Sequence, residues 1–219
     1  MPHSLTHAPV PSSGTVRGSA PRNPETKGAT SQHRINPWSS TLKEKYQQEI
    51  VPAMKKEFGY RNSLAVPRLN KAVVHMGTGA GLKDAKFLEG AEATLRRITG
   101  QAPVKTLAKK SIANFKIRQG MVVGLKVTLR GKRMWDFLNK LIAVALPRTR
   151  DFRGLKPSLV DRSGNLSIGF REHVAFPEIR SDEVERLYGL EVVVDTTAVS
   201  QDEGLALFKY LGFPFRSSR

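Results

Sequence analysis

Cysteine is absent from all 219 residues, which excludes disulfides, thiolate zinc sites and iron–sulfur ligation. No apolar run approaches the ~20 residues of a membrane-spanning helix. The N-terminal stretch also lacks the apolar centre of a secretory signal. The five histidines are scattered without a carboxylate cluster beside them, so no metal or other cofactor is expected. Acidic residues are scarce where basic ones crowd. Residues 105–153 hold thirteen basic and two acidic side chains, +11 of the chain's net +17, whereas residues 154–219 are slightly negative. From Lys105 to Leu129 there is no acid at all. Unrelieved like charge repels itself, so a polyanionic partner is implied, either nucleic acid or an anionic membrane. The basic stretch reads as a loop between strands, without the amphipathic helix of a membrane-surface segment, and that favours nucleic acid.

Residues 1–39 are rich in Ser, Thr, Pro, Gly and His and poor in large apolar side chains. They are expected to form a disordered basic extension, with a transit peptide as the minor alternative. Residues 40–219 are expected to fold as one domain. Thr41 and Glu44 have capping-box spacing, and Leu42, Tyr46, Ile50, Met54 and Phe58 share a helical face that Pro52 should kink or break. A strand is expected over Leu69–Met76 and a helix over Asp84–Thr99 ending at Gly100. Two further strands are expected over Pro103–Thr106 and Met121–Leu129, with a helix from Lys132 to Ala145 that stops at Pro147. Strands over Leu166–Phe170 and Leu190–Thr197 precede a last helix opened by Ser200 and Glu203 and closed by Gly212 and Pro214. The class is α+β, an antiparallel sheet with helices on one side and a long basic loop projecting from it.

The run Gly77-Thr78-Gly79-Ala80-Gly81 invites a nucleotide-site reading. It lacks the Gly-Lys-Ser/Thr ending of a phosphate loop and the third glycine of a dinucleotide fingerprint. A tight turn needing positive φ is the simpler expectation. His173, followed by Val174-Ala175-Phe176-Pro177, reads as a packing residue rather than a general base. In the basic stretch, Lys105, Lys109, Lys110, Lys116 and Arg118 alternate with Ser111, Asn114 and Phe115. Phe115 has two open roles, stacking on a base or anchoring the loop to the core.

The strings Ile98-Thr99-Gly100-Gln101-x-Pro103 and Ala108-Lys109-Lys110-Ser111-Ile112-Ala113-x-Phe115-Lys116-x-Arg118-x-Gly120 resemble the bacterial-type large-subunit ribosomal protein L5 family. So do Lys126-Val127-Thr128-Leu129-Arg130-Gly131, Leu146-Pro147-Arg148-x-Arg150-Asp151-Phe152-Arg153-Gly154, Phe176-Pro177-Glu178-Ile179 and Gly212-Phe213-Pro214-Phe215. The resemblance spans residues 41–216. It implies a non-enzymatic RNA-binding protein of the large ribosomal subunit, in a cytoplasmic ribosome of bacterial type, with an organellar one left open. It implies 5S rRNA contacts at His75, Gln101 and Thr128, and a P-site tRNA contact through a loop bearing Lys109, Lys110, Ser111, Phe115, Lys116 and Arg118. Lys126, Arg130, Arg148, Arg150 and Arg153 are expected to touch RNA, including large-subunit rRNA. A small-subunit head protein at an intersubunit bridge and neighbouring large-subunit proteins complete the implied partners. Where the family usually has asparagine before Met-Gly, this chain has His75, whose hydrogen-bonding groups lie on opposite sides of a ring.

Overall fold

The structure, a computed structural model, describes residues 41–79, 84–180 and 186–216. The expected N-terminal extension and the end of the glycine run, Ala80 and Gly81, lie outside the described residues.

The first helix, α1, opens with the capping box the sequence suggests. Thr41 Oγ1 accepts from the Glu44 amide at 3.4 Å, and the Glu44 carboxylate accepts from the Thr41 amide at 3.1 Å. It runs through Leu42–Lys45, a π-helical turn at Tyr46–Ile50, and Val51–Phe58. Of the kink or break expected at Pro52, the break does not occur. The Val51 amide, just before the proline, reaches back five residues to the Tyr46 carbonyl. This wider turn carries the chain past the carbonyl that a proline ring would strike in a regular helix. The helix α3 repeats the device with Gly131–Lys140, a π turn at Leu141–Ala145, and Leu146–Arg148. There Leu146 donates to Leu141, and the helix passes through Pro147 instead of stopping at it.

Between these helices lie β1 (Leu69–Gly77), α2 (Ala85–Thr99), β2 (Val104–Leu107) and β3 (Val122–Leu129); β4 (Leu166–Phe170), β5 (Leu190–Thr196) and α4 (Gln201–Leu211) follow. The α2 start is capped by Asp84, whose carboxylate accepts from Lys86 and Phe87 amides. At α4, Ser200 Oγ accepts from the Glu203 amide, and the Glu203 carboxylate accepts from the Val199 amide at 2.9 Å.

The five strands form one antiparallel sheet in the order β2-β3-β1-β5-β4. Strand side chains alternate, so one face collects Ala72, Val74, Met76, Leu125, Val127 and Leu129, all at most 1% exposed. Helix residues Leu95, Ile98, Leu138, Leu141, Leu207 and Phe208 join the same core. At about 1.5–3 kcal/mol per large apolar side chain, this layer is the main source of stability. On the opposite, open face the described side chains are exposed or half-buried.

Candidate nucleic-acid interface

Because strands repeat every two residues, Lys71, Val73 and His75 of β1 share the open face with Gly124, Lys126 and Thr128 of β3. The register sets His75 opposite Lys126, and Val73 opposite Thr128. His75 and Thr128 are therefore diagonal neighbours, within reach of one ligand. Gln101 arrives from another direction. The α2 helix ends on Gly100 in the left-handed region at φ +66°, and the Thr99 hydroxyl donates to the Leu95 carbonyl at 2.7 Å. This turn swings Gln101 onto β3, where its Nε2 donates to the Thr128 carbonyl at 3.3 Å. Arg133 Nη1 donates to Gln101 Oε1 at 3.4 Å, which agrees with that orientation of the amide. The three polar residues named from the sequence, far apart in the chain, lie together. The sequence reading missed Arg133, whose place in the first turn of α3 shows only once β3 and α2 are adjacent.

Charge divides the open face. On the β5 side of β1, Glu191 stands opposite His75, and Asp195 pairs with Lys71 at 3.4 Å. On the β3 side, Lys126 is opposite His75 and Arg130 follows at the strand end, both exposed. The field of this face thus favours a polyanion on the β1–β3–β2 half over the β5 side. Lys105 is less free than the sequence suggested, since Glu92 of α2 lies 3.6 Å away.

Residues 108–121 link β2 to β3 as an ordered hairpin. The Ala108 amide donates to the Met121 carbonyl at 2.8 Å, and Ile112 and Ile117 exchange backbone hydrogen bonds nearer the tip. Ser111 Oγ accepts from the Gln119 amide at 3.0 Å, and Lys116 takes the left-handed turn at φ +55°. Lys109, Lys110, Lys116 and Arg118 are exposed and in no ion pair among the described residues. Phe115 is 68% exposed, so of its two open roles the core anchor falls away.

The arginine-rich turn lies elsewhere. Arg148 and Arg150 line a groove of about 1020 Å³ together with Gly169 and Arg171, beside β4 at the edge opposite β2. Arg150 is 3.8 Å from Glu172. Arg153 is exposed, outside that lining. The basic excess of residues 105–153, continuous in sequence, therefore reaches both edges of the sheet.

Two other candidates resolve simply. His173 is 2% exposed; its Nδ1 accepts from the Tyr188 amide at 3.1 Å and its ring meets Tyr188 edge-on. Burial holds this imidazole below its usual pKa, as befits a packing residue. Gly77 and Gly79 do not have positive φ. Gly77 is instead the last residue of β1, paired with Gly124, so the tight-turn expectation fails at these two positions.

Comparison with known proteins places the chain in a family. Residues 62–118 match the family model described as Ribosomal protein L5, and residues 122–215 match that of the ribosomal L5P family C-terminus. The chain is 53% identical over 176 residues to the large ribosomal subunit protein uL5 of Symbiobacterium thermophilum, covering 80% of this chain and 98% of that one. It is 54% identical over 175 residues to the uL5 protein of Kosmotoga olearia, covering 80% and 96%. Against that of Thermobifida fusca it is 52% identical over 175 residues, covering 80% and 92%. With both halves of the fold matched and half of all aligned residues identical, the chain belongs to the ribosomal protein L5 (uL5) family.

Proposed function

We propose that this chain is a non-catalytic, structural component of the large ribosomal subunit that binds 5S rRNA on the open β1–β3 face. The observation that carries the reading is the convergence of His75, Gln101 and Thr128 on the half of the sheet bordered by Lys126 and Arg130. Lysine and arginine supply phosphate attraction, while the uncharged polar groups supply discrimination by base edges or ribose hydroxyls. The 108–121 hairpin, carrying Lys109, Lys110, Ser111, Phe115, Lys116 and Arg118, reaches P-site tRNA. Its four cations attract the backbone, and Phe115 offers a stacking surface. Arg148, Arg150 and Arg153 touch RNA of the same subunit, and the protein helps bridge to a small-subunit head protein alongside large-subunit neighbours.

The reading is tested by sedimenting a cell lysate and by titrating the purified chain with 5S rRNA and an unrelated RNA of equal length. Migration with large subunits and a clear preference for 5S rRNA are expected. A chain at the top of the gradient, or equal affinity for both RNAs, contradicts it.

A further inference from the structure

Gly124 is the third residue of β3, beside a register shift in the pairing with β2, and that shift does not account for what surrounds it. A Cβ built there would lie 3.0 Å from His75 Nε2 and 2.9 Å from Thr106 Oγ1. Thr106 is the register partner of Gly124 on β2, and His75 belongs to β1 on the other side. The imidazole therefore leans across the bare backbone of β3 towards the threonine of the strand beyond. Both polar atoms lie within about 3 Å of one point. Neither side chain has a hydrogen-bond partner among the described residues, and both are half-buried.

We propose that His75 and Thr106 act as one recognition pair, seated by Gly124, that takes a ribose 2′-hydroxyl of the bound RNA. A hydroxyl donates once and accepts twice, as does threonine, and a neutral imidazole nitrogen does one or the other according to tautomer. The pair can satisfy a 2′-hydroxyl in either tautomer. The surrounding charge fits the same ligand. Lys126 beside His75 attracts a phosphate, Glu191 on the far side repels one, and the backbone is held over β3 and β2. A ribose next to that phosphate then falls over the pair. The 2′-hydroxyl is also the group by which a protein tells RNA from DNA. Thr106 thereby becomes a specificity residue of the site and Gly124 a positioning residue that acts through the His75 ring.

This inference rests on the open face being the 5S rRNA site. The test uses the full chain with 5S rRNA transcripts carrying sparse 2′-deoxy substitutions, sorted into bound and free fractions. Wild type is expected to reject 2′-deoxy at one or a few positions. Thr106→Val, which keeps the β-branched shape, should lose affinity about threefold to tenfold, as for one neutral hydrogen bond, and should tolerate 2′-deoxy at one of those positions. His75→Asn, too short to cross β3, should relieve the same position, and adding Thr106→Val to it should cost less than twofold more. An unchanged interference pattern in Thr106→Val, or fully additive losses, overturns the pair while leaving 5S binding intact. Failure of wild type to bind 5S rRNA at all removes the underlying reading as well, and the two failures are distinct. Melting temperatures of the variants within a few degrees of wild type show that the fold is kept.

Discussion

Removing the four hairpin cations should separate two RNA contacts that composition alone would merge. Lys109, Lys110, Lys116 and Arg118 are exposed, and the hairpin is held by backbone bonds and by Ser111 rather than by these side chains. Replacing all four by glutamine should therefore change folding stability by no more than about 0.5 kcal/mol per site. Each phosphate neutralised contributes roughly 0.7 to 0.9 to the slope of log affinity against log salt. Four contacts give a slope of about 2.8 to 3.6, or an affinity loss of roughly 50- to 150-fold between 50 and 200 mM salt. The quadruple variant should lose that salt-dependent component for P-site tRNA, read as faster tRNA dissociation from ribosomes carrying the variant at low salt. Its affinity for free 5S rRNA should stay within about twofold of wild type. The counterpart, Gln101→Ala with Thr128→Ala, should weaken 5S rRNA by roughly tenfold, from two lost neutral contacts. Equal loss of 5S affinity in both variants refutes the assignment of sheet and hairpin to different RNAs.

Two predictions concern the fold itself. Gly164 has φ +75°, and a Cβ there would sit 2.5 Å from Ala198 Cβ and 2.9 Å from the Ser200 carbonyl. Gly164→Ala should cost roughly 2–4 kcal/mol from backbone strain plus overpacking, read by urea denaturation; a loss below about 0.5 kcal/mol would contradict the packing described. The folded state holds the buried His173 ring neutral, its pKa lowered by burial. The unfolded chain therefore binds a proton that the folded chain refuses. The stability this ring contributes is full above its usual pKa of about 6.5 and is lost as pH falls below that, by at most about 1.4 kcal/mol per pH unit. Unfolding free energies measured from pH 7.5 to 5.5 should fall less steeply in His173→Phe than in wild type, and parallel slopes would rule the ring out as the cause.

Much of the secondary structure is legible because its signals are local. Thr41 and Ser200 mark helix starts, Gly100 and Gly212 mark ends in the left-handed region, and β4 carries its alternation in five residues. The two proline positions misled for a physical reason. A proline breaks a helix through the carbonyl four residues back, and a π turn before Pro52 and Pro147 evades that contact without leaving a mark in the sequence. The site was only half legible. His75, Gln101 and Thr128 come from a family resemblance, and nothing in their spacing reveals that Gln101 rests on the Thr128 carbonyl. Register decides it, and register is a property of paired strands. The same holds for Thr106 and Gly124, and for the arginines that the fold carries to the edge opposite the hairpin.

The central claim, that RNA lies on the β1–β3 half of the open sheet face, is tested most directly by lysine footprinting. Lysine acylation is measured on the free chain and on the chain saturated with 5S rRNA. Lys126, exposed beside His75, should be strongly protected in the complex, while Lys109, Lys110 and Lys116 of the hairpin stay as reactive as in the free chain. Full reactivity of Lys126 in a saturated complex would contradict the account.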